Sequence, residues 1–282
     1  GELVAFPTET VYGLGADALQ EEAARKTYEA KGRPSDNPLI VHIADYEDLK
    51  KIAVNIPAET DILAAHFWPG PLTMIFEKTA RVPYGTTGGL DTVAVRMPKD
   101  KVALAVIEAG GGFIAAPSAN TSGRPSPTTA EHVAQDMNGR IDMILDGGPA
   151  GIGLESTIVD MSGEIPTILR PGYISREMLR ETVGQVEVDQ ALIREDSGIR
   201  PKAPGMKYRH YAPKAELKIV EGSPEAVVRA INRYIEEGEK TGQKIGVIAG
   251  EESAGLYKGG LVKTIGKRAD ELSIARHLYG VL

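Results

Sequence analysis

The residues best suited to chemistry fall in three polar clusters. The first, Pro7-Thr8-Glu9-Thr10-Val11-Tyr12-Gly13-Leu14-Gly15, leads a hydroxyl-rich stretch out of the apolar run Leu3–Phe6. It reads either as a turn with a helix entry or as hydroxyls and backbone amides facing a small polar ligand. The second, Lys31-Gly32-Arg33-Pro34-Ser35-Asp36-Asn37-Pro38, brings two cations to a helix end and runs into a strand carrying His42. Cations at a helix C-terminus are favourable without any ligand, and a lone Lys-x-Arg is usually solvated surface. On a Pro-framed turn the same pair also suits a phosphate or carboxylate. His42 taken alone reads as a satisfied core histidine.

The third cluster spans Ala115 to Thr129 and includes Ala116, Ser118, Asn120 and Ser126. An apolar strand here enters a loop dense in Ser, Thr and Asn, followed by a helix start. Loop composition alone would account for it, but open amides and a helix start also bind anions, which points to phosphate or ribose. Three shorter stretches put polar residues beside strands: Asp91–Arg96 with Thr92, Glu155-Ser156-Thr157, and Leu169-Arg170-Pro171-Gly172.

Several chemistries are excluded. No Walker loop and no G-x-S-x-G elbow is present. The five histidines, at 42, 66, 132, 210 and 277, lack metal-ligand spacing. Gly13-Leu14-Gly15-Ala16-Asp17-Ala18 matches a loose dinucleotide pattern, but Pro7–Tyr12 intervene between strand and glycine, where a Rossmann turn would follow directly. With Cys 0, disulfides, thiolate nucleophiles and cysteine-bound zinc are ruled out together. That absence fits a reducing cytoplasm, the expected location. The net charge of −7 disfavours general nucleic-acid binding. No apolar run approaches the ~18 residues of a membrane span, and no signal-peptide pattern opens the chain.

These clusters need elements to hold them. The 282 residues suggest about two domains. Strand patterns fall at Leu3–Phe6, Leu39–Ile43, Leu72–Phe76, Thr92–Met97, Phe113–Ala116, Ile141–Leu145, Thr157–Met161 and Thr167–Arg170. Helical patterns fall at Leu19–Ala30, Tyr46–Val54, Glu59–His66, Val102–Ala109 and Ala130–Met137. Alternation with some adjacent strands predicts an α/β fold on an open mixed sheet. Residues 197–215 hold three prolines, two glycines, five Lys/Arg and no acid, the composition of a linker or lid. Beyond them, Leu217–Val220, a helix over Pro224–Glu237, Ile245–Ala249, Leu261–Ile265 and a helix from Ala269 predict a small second α/β unit. The expected domains are thus 1–190, a lid at 191–215, and 216–282. The chain opens on Gly1 and closes inside a helical pattern, so both ends are expected to be trimmed from a longer protein.

In order along residues 1–215, the sequence resembles YrdC-type proteins. The segments that carry the resemblance are P-T-E-T-V-Y-G-L-G, K-G-R-P-x-x-N-P-L-I-V-H, W-P-G-P-L-T at Trp68–Thr73, L-D-T-V-A-V-R-M-P at Leu90–Pro98, S-A-N, E-S-T-I and L-R-P-G. The stretch A-P-G-M-K-Y-R-H-Y-A-P-K, Ala203–Lys214, is similar to the interdomain segment of the two-domain threonylcarbamoyl-adenylate synthases, whose small C-terminal domain is Rossmann-like. The resemblance implies an open twisted sheet with a concave face. It also implies synthesis of L-threonylcarbamoyl-AMP and pyrophosphate from L-threonine, bicarbonate or CO2, and ATP, with Mg2+ held mainly by the nucleotide and no tightly bound organic cofactor. A downstream transferase system would then modify tRNA; contact of this chain with tRNA is allowed but not required.

Carried over by the same resemblance, Thr10, His42, Arg96, Ala116 (through its backbone) and Ser156 surround threonine. Arg33, Asn37, Thr92, Ser118, Ser126, Arg170 and the lid residue Tyr211 surround ATP. Lys31, Arg33, Ser118 and Asn120 form the catalytic set, with Lys31 neutralising carbamate or phosphate and Asn120 fixing the loop. Two other readings belong to the same superfamily. One is an RNA-binding module on a basic concave face, against which the charge weighs. The other is a carbamoyl-transferring maturation factor, whose relatives carry cysteine-rich zinc modules that this chain lacks.

Overall fold

In the computed structural model, residues 1–192 and 215–282 are described. Two compact units divide the chain, Gly1–Ala212 and Pro213–Leu282. Apart from residues 191, 192 and 215, the expected lid, with Tyr211, lies outside the described residues.

Eleven strands of the first unit form one sheet: β1 (Val4–Phe6), β2 (Gly13–Asp17), β3 (Ile40–His42), β4 (Ala53–Val54), β5 (Leu72–Lys78), β6 (Thr92–Arg96), β7 (Ile114–Ala115), β8 (Met143–Ile144), β9 (Thr157–Asp160), β10 (Thr167–Arg170) and β11 (Glu187–Val188). Their order is β11-β10-β9-β5-β6-β3-β7-β2-β1-β8, with β4 on β5. The sheet is mixed, as adjacent strands without helices predict: β3 runs parallel to β6 and β5 to β9, while β5 opposes β6 and β7 opposes β3. Helices α1 (Glu21–Lys31), α2 (Leu49–Ile52), α3 (Glu59–Phe67), α4 (Tyr84–Thr87), α5 (Lys101–Ala109), α6 (Ala130–Met137) and α7 (Arg176–Val183) complete it.

Strand pleating sorts the residues by face. On one face Val41, Met74, Phe76, Val93, Val95 and Val159 pack with Tyr28, Leu49, Ile52, Leu63 and Leu179 from α1, α2, α3 and α7 as the main core. On the other face the small cluster Ile40, Ile75, Ala94, Ile158 and Leu169 forms an apolar floor. His42 pairs with Arg96 and Arg96 with Thr73 in register, so all three stand on the floor's face at one edge of it.

Three sequence expectations are corrected. Gly13–Asp17, where no strand is expected from the sequence, is a strand, in keeping with the rejected dinucleotide turn: a Cβ on Gly15 would sit 2.6 Å from the Phe6 ring and 2.9 Å from Ile114. The helix expected over Tyr46–Val54 is a 3₁₀ turn, the short α2 and then β4. Leu217–Val220 is not a strand; Leu217 and Ile219 are exposed, and among the described residues no strand pairs with this segment.

In the second unit, β12 (Gly246–Gly250) and β13 (Leu261–Gly266) pair in parallel, with helices α8 (Pro224–Lys240), α9 (Glu251–Ala254) and α10 (Glu271–Val281). Ser223 caps α8, with Pro224 in its first turn. Its core is small, centred on Ile235, Val247 and Ala249.

Candidate active site

The loop between β1 and β2 is braced by its own hydroxyls. Thr8 Oγ1 donates to Val11 O at 2.7 Å and shares a hydrogen bond with Thr10 Oγ1 at 2.8 Å. Both threonines are buried. Ile152 N and Gly153 N donate to the carbonyls of Glu9 and Thr10, tying the loop to a second segment.

Arg96 ends β6 and is 4% exposed. Its Nε donates to Gly70 O at 3.2 Å, Nη1 to Thr10 Oγ1 at 2.9 Å and Nη2 to Glu9 Oε1 at 2.6 Å. Glu9 also accepts from Lys99 N at 3.0 Å. Burial pushes the Glu9 carboxyl up, but the Arg96 charge and the hydrogen bonds together hold it below the ordinary carboxylate value. Beside Arg96 stands His42, whose Nδ1 lies 3.1 Å from Ile40 O. Burial, seconded by the Arg96 charge, pushes its pKa down to about 3, so the ring is neutral at working pH.

Ser156 precedes β9 and joins this corner. Its Oγ is 2.8 Å from Thr73 Oγ1, and Arg170 Nη2 donates to Ser156 O at 2.9 Å and to its Oγ at 3.1 Å. Ser126 Oγ donates to the buried Glu155 carboxylate, which brings the third sequence cluster against the same segment.

A second group gathers at the C-terminus of α1. Gly32, at φ 60°, ends the helix in the left-handed region that favours glycine, and Arg33 N returns to Tyr28 O. Lys31 is buried, and its ammonium donates to the carbonyls of Ser118 and Asn120. Burial, then the Arg33 charge, drives its pKa well below that of a free lysine. Its own carbonyl accepts from Ser122 N. Asn120 Nδ2 closes the same loop on Thr121 O and Arg124 O. Arg33 donates to the carbonyls of Asn37 and Pro38. The Asn37 side chain is buried with neither amide atom partnered. Ala116 N donates to Ile40 O.

The structure therefore brings together Thr10, His42, Arg96, Ser156 and Arg170 at one corner, and Lys31, Arg33, Asn37, Ser118 and Asn120 around the loop. Ala116 directly follows β7, the antiparallel neighbour of β3, and Ser126 meets Glu155. Thr92, at the start of β6, shares the face of Arg96, and among the described residues no hydrogen bond joins its side chain to the other site residues. Sequence reasoning gave no role to Glu9, Thr73 or Glu155. Each sits inside a quoted motif, but its partner lies 87, 83 or 29 residues away.

These features define an α/β protein of the YrdC-like fold, with polar side chains gathered at strand ends beside an apolar floor. Escherichia coli YciO, 22% identical over 61% of this chain and 84% of its own, superposes with a TM-score of 0.56, which concerns the fold alone. Residues 1–172 match the family described as "Telomere recombination", and residues 174–282 match "Threonylcarbamoyl-AMP synthase, C-terminal domain". The threonylcarbamoyl-AMP synthase of Bacillus subtilis is 51% identical over all of this chain and 80% of its own length. A Pyrococcus abyssi Sua5 structure complexed with L-threonine, 49% identical, covers 99% of this chain and 80% of that one with a TM-score of 0.92. The chain belongs to the two-domain threonylcarbamoyl-AMP synthase family.

Proposed function

We propose that this chain makes L-threonylcarbamoyl-AMP from L-threonine, bicarbonate or CO2, and ATP, with pyrophosphate as the leaving group, and that the adenylate feeds a tRNA modification pathway in the cytoplasm. The observation that carries the reading is the Arg96 guanidinium. It is buried on the floor's face, and the inventory of five N–H donors less the three bonds described leaves one on each terminal nitrogen, suited to a carboxylate. The threonine amine adds to CO2 with loss of a proton and gives a carbamate. A carbamate oxygen then forms a bond to the α-phosphorus as the bond to pyrophosphate breaks. This needs positioning and charge neutralisation rather than an enzyme nucleophile.

In this reading Thr10, His42, Arg96, the Ala116 backbone and Ser156 hold threonine, and neutral His42 adds no charge next to Arg96. Arg33, Asn37, Thr92, Ser118, Ser126, Arg170 and Tyr211 hold the nucleotide. A buried amide without partners costs free energy, so the Asn37 side chain supports a polar ligand beside Arg33. Lys31 acts by fixing the Ser118–Asn120 loop, since its ammonium is already engaged there. Among the described residues no three His, Asp or Glu side chains converge to hold a metal ion. Mg2+ is expected to accompany the ATP phosphates, and no step is routed through it. No described helix is long and apolar enough to cross a membrane. Transfer to tRNA falls to a separate system. Pyrophosphate release assayed with each substrate omitted in turn tests the reading: release should require threonine, bicarbonate and ATP together, and ATP turnover indifferent to threonine would refute it.

A further inference from the structure

We infer that Glu9 is a positioning residue for threonine, acting through Arg96. The inference rests on the synthase reading above and on Arg96 as the carboxylate partner. An arginine side chain has four rotatable torsions, and a guanidinium that is free to swing loses orientational entropy each time it takes a ligand. Here three partners share the task of holding it. Gly70 O and Thr10 Oγ1 are neutral acceptors, at 3.2 and 2.9 Å; Glu9 supplies the shortest bond, 2.6 Å, and the only charge among the three. Charge-assisted bonds of this kind are about twice as strong as neutral ones.

Glu9 is itself fixed from several sides. Lys99 N donates to its other carboxylate oxygen, Ile152 N donates to its carbonyl at 2.7 Å, and its two threonine neighbours are buried and hydrogen-bonded to each other. A carboxylate held this way sets the plane of the guanidinium and leaves the remaining N–H on each terminal nitrogen directed elsewhere. It also pairs the Arg96 charge before substrate arrives, which offsets the cost of keeping that arginine buried. The other titratable groups at this corner are His42, which is neutral, and Arg170, a second cation bound to Ser156, so among the described residues Glu9 is the ion-pair partner of Arg96.

The test is a double-variant cycle read by threonine and ATP kinetics on the whole chain. Glu9→Gln keeps an acceptor and the shape but loses the charge, and Glu9→Asp keeps the charge but withdraws it by one methylene. Each should raise the threonine KM about tenfold, the value of one charge-assisted bond, with the ATP KM moving less than threefold. Arg96→Lys should raise it further, and adding Glu9→Gln to Arg96→Lys should cost no more than about twofold extra, because the group that Glu9 orients is gone. A threonine KM unmoved in both Glu9 variants would overturn the inference. So would equal losses for ATP and threonine, or full multiplicative losses in the double variant. If Glu9→Gln does not fold, Glu9→Asp and the Arg96→Lys/Glu9→Asp pair give the same comparison. Wild-type pyrophosphate release separates the two levels: its failure to need threonine refutes the synthase reading, and its dependence on threonine with the outcomes above refutes only the role of Glu9.

Discussion

Gly172→Ala should damage threonine use by displacing the backbone around Ser156. A Cβ at Gly172 would lie 2.5 Å from Glu155 O, 2.5 Å from Thr157 N and 2.6 Å from the Ser156 carbonyl carbon. Ordinary contacts between such atoms sit near 3.5 Å, so the backbone must give by about 1 Å. All three atoms are main chain in a segment that begins β9, so no flexible side-chain end can yield. The displacement falls on Ser156, whose hydroxyl sits 2.8 Å from Thr73 Oγ1 and 3.1 Å from Arg170 Nη2. Overpacking of this kind costs about 1–3 kcal/mol of stability. A misplacement of about 1 Å in a positioned group can cost on the order of 100-fold in rate. The expected result is a threonine kcat/KM down at least tenfold, with the protein still folded and its Tm lowered by a few degrees. Threonine titration monitored by pyrophosphate release, with thermal unfolding alongside, reads both. Wild-type threonine kinetics together with a wild-type Tm would refute the argument that this close approach sets the Ser156 position.

His42 makes stability pH-dependent in a defined direction. Its folded pKa of about 3 lies below the unfolded value near 6.5, so the stabilisation is complete above pH 6.5 and is lost as pH falls toward 3. Between pH 8 and pH 5 the loss should reach about 2 kcal/mol, and His42→Gln should flatten that slope in urea unfolding curves; an unchanged slope would contradict a buried neutral ring. The two halves of the site should also separate. Arg33→Ala should raise the ATP KM more than the threonine KM, and Ser156→Ala should do the reverse, each by about 1.5–3 kcal/mol for a charged contact and about half that for the hydroxyl. Calorimetry giving both variants wild-type affinity for both ligands would make these clusters structural.

Much of the fold was legible in the sequence, because apolar period and capping agree there. Thr167–Arg170 and Ala130–Met137 fall at their expected bounds, the latter started by Thr129 accepting from His132 N. What escaped depends on distant partners. The strand Gly13–Asp17 has two glycines and follows a hydroxyl run, so its propensity is poor; pairing with β1 and β7 and the room that Phe6 and Ile114 require are what make it a strand. Helix α7 carries few apolar residues, and its signal is the Ser175 cap and the buried Leu179. Leu217–Val220 fails for the opposite reason: its strand-like pattern meets no pairing strand among the described residues, and Ile219 stays 83% exposed. The site was legible as motifs but not as contacts. Arg96, Thr10 and Ser156 stand out as polar residues beside strands, whereas Glu9 and Thr73 gain their roles from side chains more than eighty residues away.

The central claim is that a threonine carbamate, not the threonine carboxylate, is joined to AMP. Incubating the protein with ATP, threonine and [13C]bicarbonate, and then analysing the adenylate by mass spectrometry and 31P NMR, tests this directly. The account predicts an AMP adduct that contains threonine plus one 13C carbonyl, with one pyrophosphate released per adduct. An unlabelled threonyl-adenylate, or pyrophosphate release without incorporation of the label, would contradict it.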